Sequence, residues 1–361
     1  MRRTILGLGL LTLLPLGHAD VLAQDVDYTQ HFQVFTGQGE PATLEDIVAA
    51  IATVDVIFVG ETHTDPVGHW LEAQLFERAL RATKAGEASG ALRGVALSME
   101  MFQRDVQSIV DEYLQDLITE DQFKASARPW EHYDDDYRAM VEAAKQAGIA
   151  VIAANAPRRY VNRVSRLGRE ALFDLPARAR SVLPPLPYPQ PSDAYRAEWM
   201  ALMAEMPMQR QCEPPNIETE GEDPAAIDPH AVEQPHQPAE EAPRAAMPSH
   251  MGAFIENGLQ AQSLWDASMA YAITTFLETQ PGALVFHVVG GFHVGNGTGT
   301  PEQVHYYRPR TRNLVVSMEL AEDFHSFDHD EHTGRGDFVI LTDKSLDLDY
   351  ERNCADEEGG K

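Results

Sequence analysis

From Thr43 onward, short β-rich apolar runs alternate with helical patterns, and this alternation predicts a central, largely parallel sheet flanked by helices. Val54 to Val59 is continuously apolar, as a strand covered on both faces requires. Thr64-Asp65-Pro66 then supplies a cap and a first-turn proline, and Val67, Leu71, Leu75 and Ala79 form one apolar helix stripe. Gly94 to Met99 reads as the next strand, followed by a helix whose buried face carries Val106, Ile109, Val110, Tyr113, Leu114 and Leu117. Tyr137, Met140, Val141 and Ala144 line a helix that stops at Gly148, and Ile149 to Ala154 is a further strand.

After Asn155 the pattern changes. Residues 158 to 182 read as a basic amphipathic helix, Pro184 to Pro191 as a polyproline-like connector, and Ser192 or Asp193 caps a helix carrying Tyr195, Trp199, Leu202, Met203 and Met206. Helices without strands predict a smaller helical subdomain over 158–208, after an α/β part over 24–157. Between Gln209 and Ser249 there are eight prolines, no aromatic residue, and nine acids against two arginines, so this stretch is expected to be a disordered insert. From 250 the α/β pattern resumes with a long helix in which Ala261, Leu264, Trp265, Ser268, Met269, Ala272, Ile273 and Phe276 keep helical spacing up to Pro281-Gly282. Strands are expected at Ala283 to Val289, Leu314 to Met318 and Phe338 to Leu341, before a polar tail ending at 361.

Charge narrows the partners. The 361 residues hold 28 Lys plus Arg against 56 Asp plus Glu, a net charge of -28, which repels phosphate backbones and so argues against nucleic acid. Two cysteines, Cys212 and Cys354, are too few for a thiolate zinc site but enough for one bridge. Arg2 and Arg3 precede a short apolar run from Ile5 to Leu16, and Val21-Leu22-Ala23 offers small residues before a cut after Ala23. This predicts a cleavable signal over 1–23 and a soluble periplasmic or secreted protein, with no cysteine nearby to carry a lipid anchor.

In open α/β sheets ligands collect at the carboxyl ends of the strands. There the sequence places Gly60-Glu61-Thr62-His63, Glu100, Asn155-Ala156-Pro157-Arg158 and Gly290-Gly291-Phe292-His293. Glu100 lies among Met99, Met101 and Phe102, and a carboxylate in apolar surroundings needs a partner: Arg158, His63 or a metal. His63, Glu100 and His293 are suitable ligands for a divalent metal such as Zn or Mn, with Glu61 as the base of a metal-dependent hydrolase. The dense run His325, Asp328, His329, Asp330, Glu331 and His332 reads as a solvated loop, and Met200, Met203 and Met206 read as core fillers. The glycines around 290–299 lack the lysine of a phosphate loop, which argues against nucleotide binding.

Taken together, Gly60-Glu-Thr-His63, Ser-Met-Glu100-Met-Phe, Asn155-Ala-Pro-Arg158-Arg-Tyr160-Val, Ser263-Leu-Trp-Asp266-Ala-Ser-Met269-Ala and Gly290-Gly-Phe-His293-Val resemble the ChaN-like haem-binding uptake family. The resemblance spans nearly the whole chain after the signal, the acidic insert excepted. It implies a sheet with a smaller helical domain, haem binding in iron uptake, a homodimer holding haems cofacially, and an outer-membrane haem receptor system as partner. It also implies a tyrosine ligand. Tyr160, with Arg158 and Arg159 beside it to meet a propionate, is the first candidate, Tyr195 the second, and His250 a secondary contact. Members of the family are often lipoproteins, and this chain departs from that pattern. The Gly-Glu-x-His, Glu and Gly-x-x-His arrangement also resembles a wider superfamily with the Tiki and TraB metalloproteases and the erythromycin-esterase-like hydrolases, and the esterase likeness implies that His63 can activate water without a metal.

Overall fold

A computed structural model describes residues 26–88, 94–205 and 249–346. The expected signal segment, both cysteines and the terminal tail lie outside the described residues, as does the acidic insert except for Ser249.

Eight strands form one sheet: β1 (Phe32–Thr36), β2 (Pro41–Ala42), β3 (Val56–Glu61), β4 (Val95–Gln103), β5 (Ala150–Asn155), β6 (Leu284–Gly290), β7 (Asn313–Ala321) and β8 (Phe338–Asp343). Their order is β2-β1-β8-β7-β3-β6-β4-β5. The strands from β8 to β5 run parallel, and only β1 and β2 pair antiparallel at one edge. The α/β class with a largely parallel sheet is therefore as the sequence predicts. Every residue of β3 and β6 is buried, which is why those runs lack polar alternation. The β1 and β2 edge was not anticipated, because these strands precede the alternating pattern and β2 is only two residues long.

Helices cover both faces. On one face lie α1 (Leu44–Ile51), α2 (Pro66–Ala88), α3 (Gln107–Leu114), α4 (Glu120–Ala127), α5 (Tyr133–Asp136) and α6 (Arg138–Ala147), closing a core that includes Ile47, Leu71, Phe76, Val110, Phe123 and Met140. Local chemistry sets their ends: Thr43 with Asp46 and Thr119 with Gln122 form capping boxes at α1 and α4, and Gly148 takes a left-handed conformation after α6. The other face is covered by α10 (Ser249–Thr279) and α11 (Thr300–Tyr307), with Met269, Ile273 and Val304 against Phe58, Val285 and Val289. Beyond α10 lie α7 (Arg158–Leu167), α8 (Ala177–Arg180) and α9 (Asp193–Glu205), while α12 (His329–His332) sits between β7 and β8. The single helix expected over 158–182 is broken, because Gly168 at φ 79 ends α7 and Pro176 separates the turn after it from α8. The histidine-rich run is likewise ordered in part: His332 is buried and its Nδ1 accepts from the Asp328 amide.

Two features position the site. The chain leaves β3 for α2 on one face and β6 for α11 on the other, which opens a crevice at the carboxyl ends of neighbouring strands. A bulge in the β4–β5 pairing between Met99 and Gln103 falls on Glu100, the kind of irregularity that re-aims a side chain. Gly60 allows the crevice floor to close. A Cβ there would stand 2.5 Å from Val294 Cγ2 and 3.2 Å from the Gly291 Cα, whereas one at Gly94 would find its nearest neighbour at 3.8 Å. Gly60→Ala is therefore expected to cost about 1–3 kcal/mol in urea unfolding, with Gly94→Ala close to neutral; equal midpoints for the two variants would contradict this packing.

Candidate functional site

The β3–β6 register sets Gly60 opposite Val289 and Glu61 opposite Gly290, so the two glycine-containing strand ends meet. Glu100 reaches the same point from the far side of β6: its Oε2 accepts from the Gly290 amide at 2.8 Å, and Asn155 Nδ2 lies 3.5 Å from its Oε1. The structure thus brings His63, Glu100 and His293 together. A Cβ on Gly290 would lie 3.0 Å from His63 Nε2 and 3.6 Å from Glu100 Oε2, so glycine is what lets the imidazole settle over this backbone. His293 Nε2 stands 3.8 Å from Glu100 Oε1.

Each imidazole is braced by its own carboxylate. His63 Nδ1 donates to Glu61 Oε1 at 2.7 Å, and because a carboxylate only accepts, neutral His63 presents a bare Nε2 outward. Its side chain is 47% exposed while Glu61 is buried, so this nitrogen is reachable from solvent. His293 is buried and its Nδ1 donates to Asp266 Oδ1 at 2.8 Å, an oxygen that also accepts from Thr300 Oγ1 at 2.8 Å. Burial works against charge on His293, but Asp266 and Glu100 outweigh it and raise the imidazole to about 9. His63 is raised too, burial being overcome by Glu61. Roles therefore differ: one histidine is open, the other a buried cation.

Behind Glu61 the polar chain continues inward. Tyr137 donates to Glu61 Oε1 at 2.8 Å, His69 Nε2 lies 3.2 Å from Oε2, and His69 Nδ1 meets Asp136 Oδ1 at 3.1 Å. Burial alone would raise Glu61, yet His63 and His69 hold it well below the usual carboxylate range. Glu72, fully buried nearby, goes the other way, since burial and the Glu61 charge push its carboxyl far up into the neutral form. Asp65, His69 and Glu72 recur at helical spacing along α2, and that polar stripe was the legible but unread sign of this network. Asp266 was read only as part of a motif; nothing local in the sequence pairs it with His293, 27 residues away.

The remaining expected residues fall elsewhere. Arg158 is exposed and only its amide bonds to Gln103, so it is not the partner of Glu100. Tyr195 is buried with its phenol against Asp266, and burial raises its pKa well above normal, the opposite of what an iron-bound phenolate needs. Tyr160 is half-buried at the start of α7, with the Arg159 guanidinium 4.5 Å from its ring centroid. His250 falls in the first turn of α10. Among the described residues no group of three or more His, Cys, Asp or Glu is arranged to hold a metal ion, and no helix is long and apolar enough to cross a membrane.

A cleft of about 690 Å³ opens over this centre, lined by Glu61, Phe292, Glu198, Ser317, Glu319 and Arg335 among others. Its polar and acidic wall suits small polar molecules better than a flat apolar ring with two carboxylates. Haem therefore does not fit the strand ends, whereas the half-buried phenol and guanidinium at Tyr160 are the donor and cation that it requires.

Comparisons with known proteins agree with the architecture. The family model described as "Haem-binding uptake, Tiki superfamily, ChaN" matches residues 47–304. Among solved structures, that of cofacial haem binding to ChaN of Campylobacter jejuni superposes with a TM-score of 0.57 at 12% identity, covering 87% of this chain and 97% of that one. A type III effector gives 0.41 at 14% identity over 83% and 93%, and an erythromycin esterase mutant in its open conformation 0.36 at 9% over 80% and 77%. No curated protein matches the chain significantly.

The buried imidazoles make stability pH-dependent. His69 is raised to about 9, burial being overcome by Asp136 and Glu61, against about 6.5 in an unfolded chain. A raised folded-state value means that the stabilisation is complete below about 6.5 and is lost as pH climbs through 9. His69→Gln is expected to lower the melting temperature by roughly 10 °C at pH 6, the scale of breaking a buried pair, and the deficit should shrink towards pH 9.5. A deficit constant across that range would show that His69 is uncharged in the fold.

Proposed function

The chain belongs to the ChaN haem-binding uptake family of the Tiki superfamily, and from that premise we propose that it binds haem on its helical layer and serves haem or iron uptake as an exported, periplasmic protein. The observation that carries this reading is Tyr160, a half-buried phenol beside a guanidinium, next to an arginine-rich segment of an otherwise acidic chain. Bound haem supplies a Lewis-acidic iron and a flat apolar ring with two propionates. The protein's part is to offer the Tyr160 oxygen as axial donor, with Arg158 and Arg159 placing positive charge beside it. Cofacial binding, which the Campylobacter structure's title describes for that protein, extends the reading to a homodimer in which His250 is a secondary contact, with an outer-membrane haem receptor system as partner.

A second reading, hydrolysis at the strand ends, is favoured by one observation: His63 is braced by Glu61 and turns its free nitrogen to the open cleft. In that reading His63 accepts the proton of an attacking water, Glu61 holds the imidazole's tautomer, and cationic His293 stabilises developing negative charge. No step requires a metal.

Titration with ferric haem is expected to give a saturable Soret shift and a phenolate-to-iron band in the visible. Tyr160→Phe should abolish that band and weaken binding by about a hundredfold or more, beyond the 10–100-fold of an outer contact, whereas Tyr195→Phe should keep both. Absence of stoichiometric uptake by the wild-type protein would overturn the haem reading. Ester or peptide turnover by haem-free protein, abolished in His63→Ala, would put the second reading first.

A further inference from the structure

Asp105, just after β4, is a carboxylate outnumbered. Its Oδ1 and Oδ2 lie 3.1 and 3.2 Å from Arg128 NH2, and its Oδ2 lies 2.6 Å from Arg159 NH1. Burial would raise its pKa, but these two guanidiniums hold it below the usual range. Arg104, its neighbour in sequence, is half-buried beside Tyr271 and makes no ion pair with a carboxylate among the described residues. Three permanent cations therefore converge around one anion. The surplus of two positive charges stands out in a chain of net charge -28, and it adjoins residues 158–180, where seven arginines face two acids.

Retaining such a corner is costly without an anion. A guanidinium withdrawn from water needs a carboxylate or phosphate to offset its lost hydration, and Arg104 has neither from the protein. Arg128 carries a second cost, since it caps α4 in the left-handed conformation at φ 52 and ψ 55, where a side chain other than glycine is strained. Strain held at a position is a pointer to function. Access is also suitable: Arg128 and Arg159 are 53% and 48% exposed, while Asp105 is 17% exposed and largely covered by them. Arg159 is in addition the guanidinium that covers the Tyr160 ring, so the cationic corner and the phenol form one continuous surface.

We propose that the Arg104, Arg128 and Arg159 corner binds the two propionates of a haem held by Tyr160, two carboxylates against two uncompensated charges. Planar guanidinium forks match carboxylates in paired hydrogen bonds, which makes arginine the suitable cation here. This assignment rests on the haem reading above, and it adds Arg104 and Arg128 to the arginines that adjoin Tyr160 in sequence.

The test titrates ferric haem, haem dimethyl ester and inorganic phosphate into the full chain, as wild type, Arg104→Gln, Arg128→Gln and the double variant. Each single substitution is expected to weaken haem binding about tenfold, the scale of one charged hydrogen bond, and the double about a hundredfold, while the phenolate band stays in place because Tyr160 is untouched. The dimethyl ester should bind all four proteins alike and as weakly as haem binds the double variant. Arg128 is half-exposed, so its variant provides the comparison should Arg104→Gln melt early. Haem affinity unchanged in every variant, with wild-type uptake intact, overturns the propionate assignment and leaves the haem reading standing. Wild-type protein that takes up no haem overturns both. A dimethyl ester that binds as tightly as haem, with phosphate bound in the wild type and lost in the variants, identifies an inorganic-anion site and also overturns the assignment.

Discussion

Glu61 and Glu100 end the two strands that flank β6, both nearly buried, and the cost of leaving a buried carboxylate unpaired governs the surroundings of each. Glu61 is answered by three side chains at once, His63, Tyr137 and His69, and the last of these calls up Asp136 in turn. Glu100 is answered by the Gly290 amide and by His293, which leans on Asp266. Each carboxylate thus recruits a histidine, and each histidine a further acid. The result is two imidazoles with fixed tautomers facing one crevice, a pre-organised polar arrangement that the sheet alone would not produce.

That arrangement explains why the strand ends and a haem site are separate on this molecule. A porphyrin needs apolar faces and cations at its rim, whereas the cleft over His63 is walled by Glu61, Glu198 and Glu319. Cations collect instead beside α7, where arginine is the dominant charged residue and Asp105 is shared between two of them. In a chain this acidic, positive charge confined to one corner is a local field, effective over about 10 Å at moderate salt. Family membership and local charge point to the same layer.

Tyr195 and Asp266 join the two regions mechanically. The α9 helix brings Tyr195 against Asp266, the residue that orients His293, while Glu198 on the same helix accepts from Asn296 and Thr298 in the loop that follows β6. Helices outside the sheet therefore help to hold the histidine at its edge. A phenol expected to bind iron is instead part of the scaffold under an imidazole.

The parallel sheet was legible because strands buried on both faces must be continuously apolar, and the runs ending at Glu61 and Gly290 carry that mark. Polar residues that break such runs at their carboxyl ends were legible for the same reason, which is how His63, Glu100 and His293 came into view before any contact was known. The short β1 and β2 edge and the break of the basic helix at Gly168 were not, since two-residue strands and local kinks leave little periodicity to read. Pairings across long separations were invisible as well. Asp266 with His293, Asp105 with Arg128 and Arg159, and Gly290 with Glu100 bring together groups 23 to 190 residues apart. Burial periodicity is written residue by residue, because each side chain meets core or solvent according to its own position in a helix or strand. Which charge meets which is decided by strand order and helix packing, and those exist only once the chain has folded.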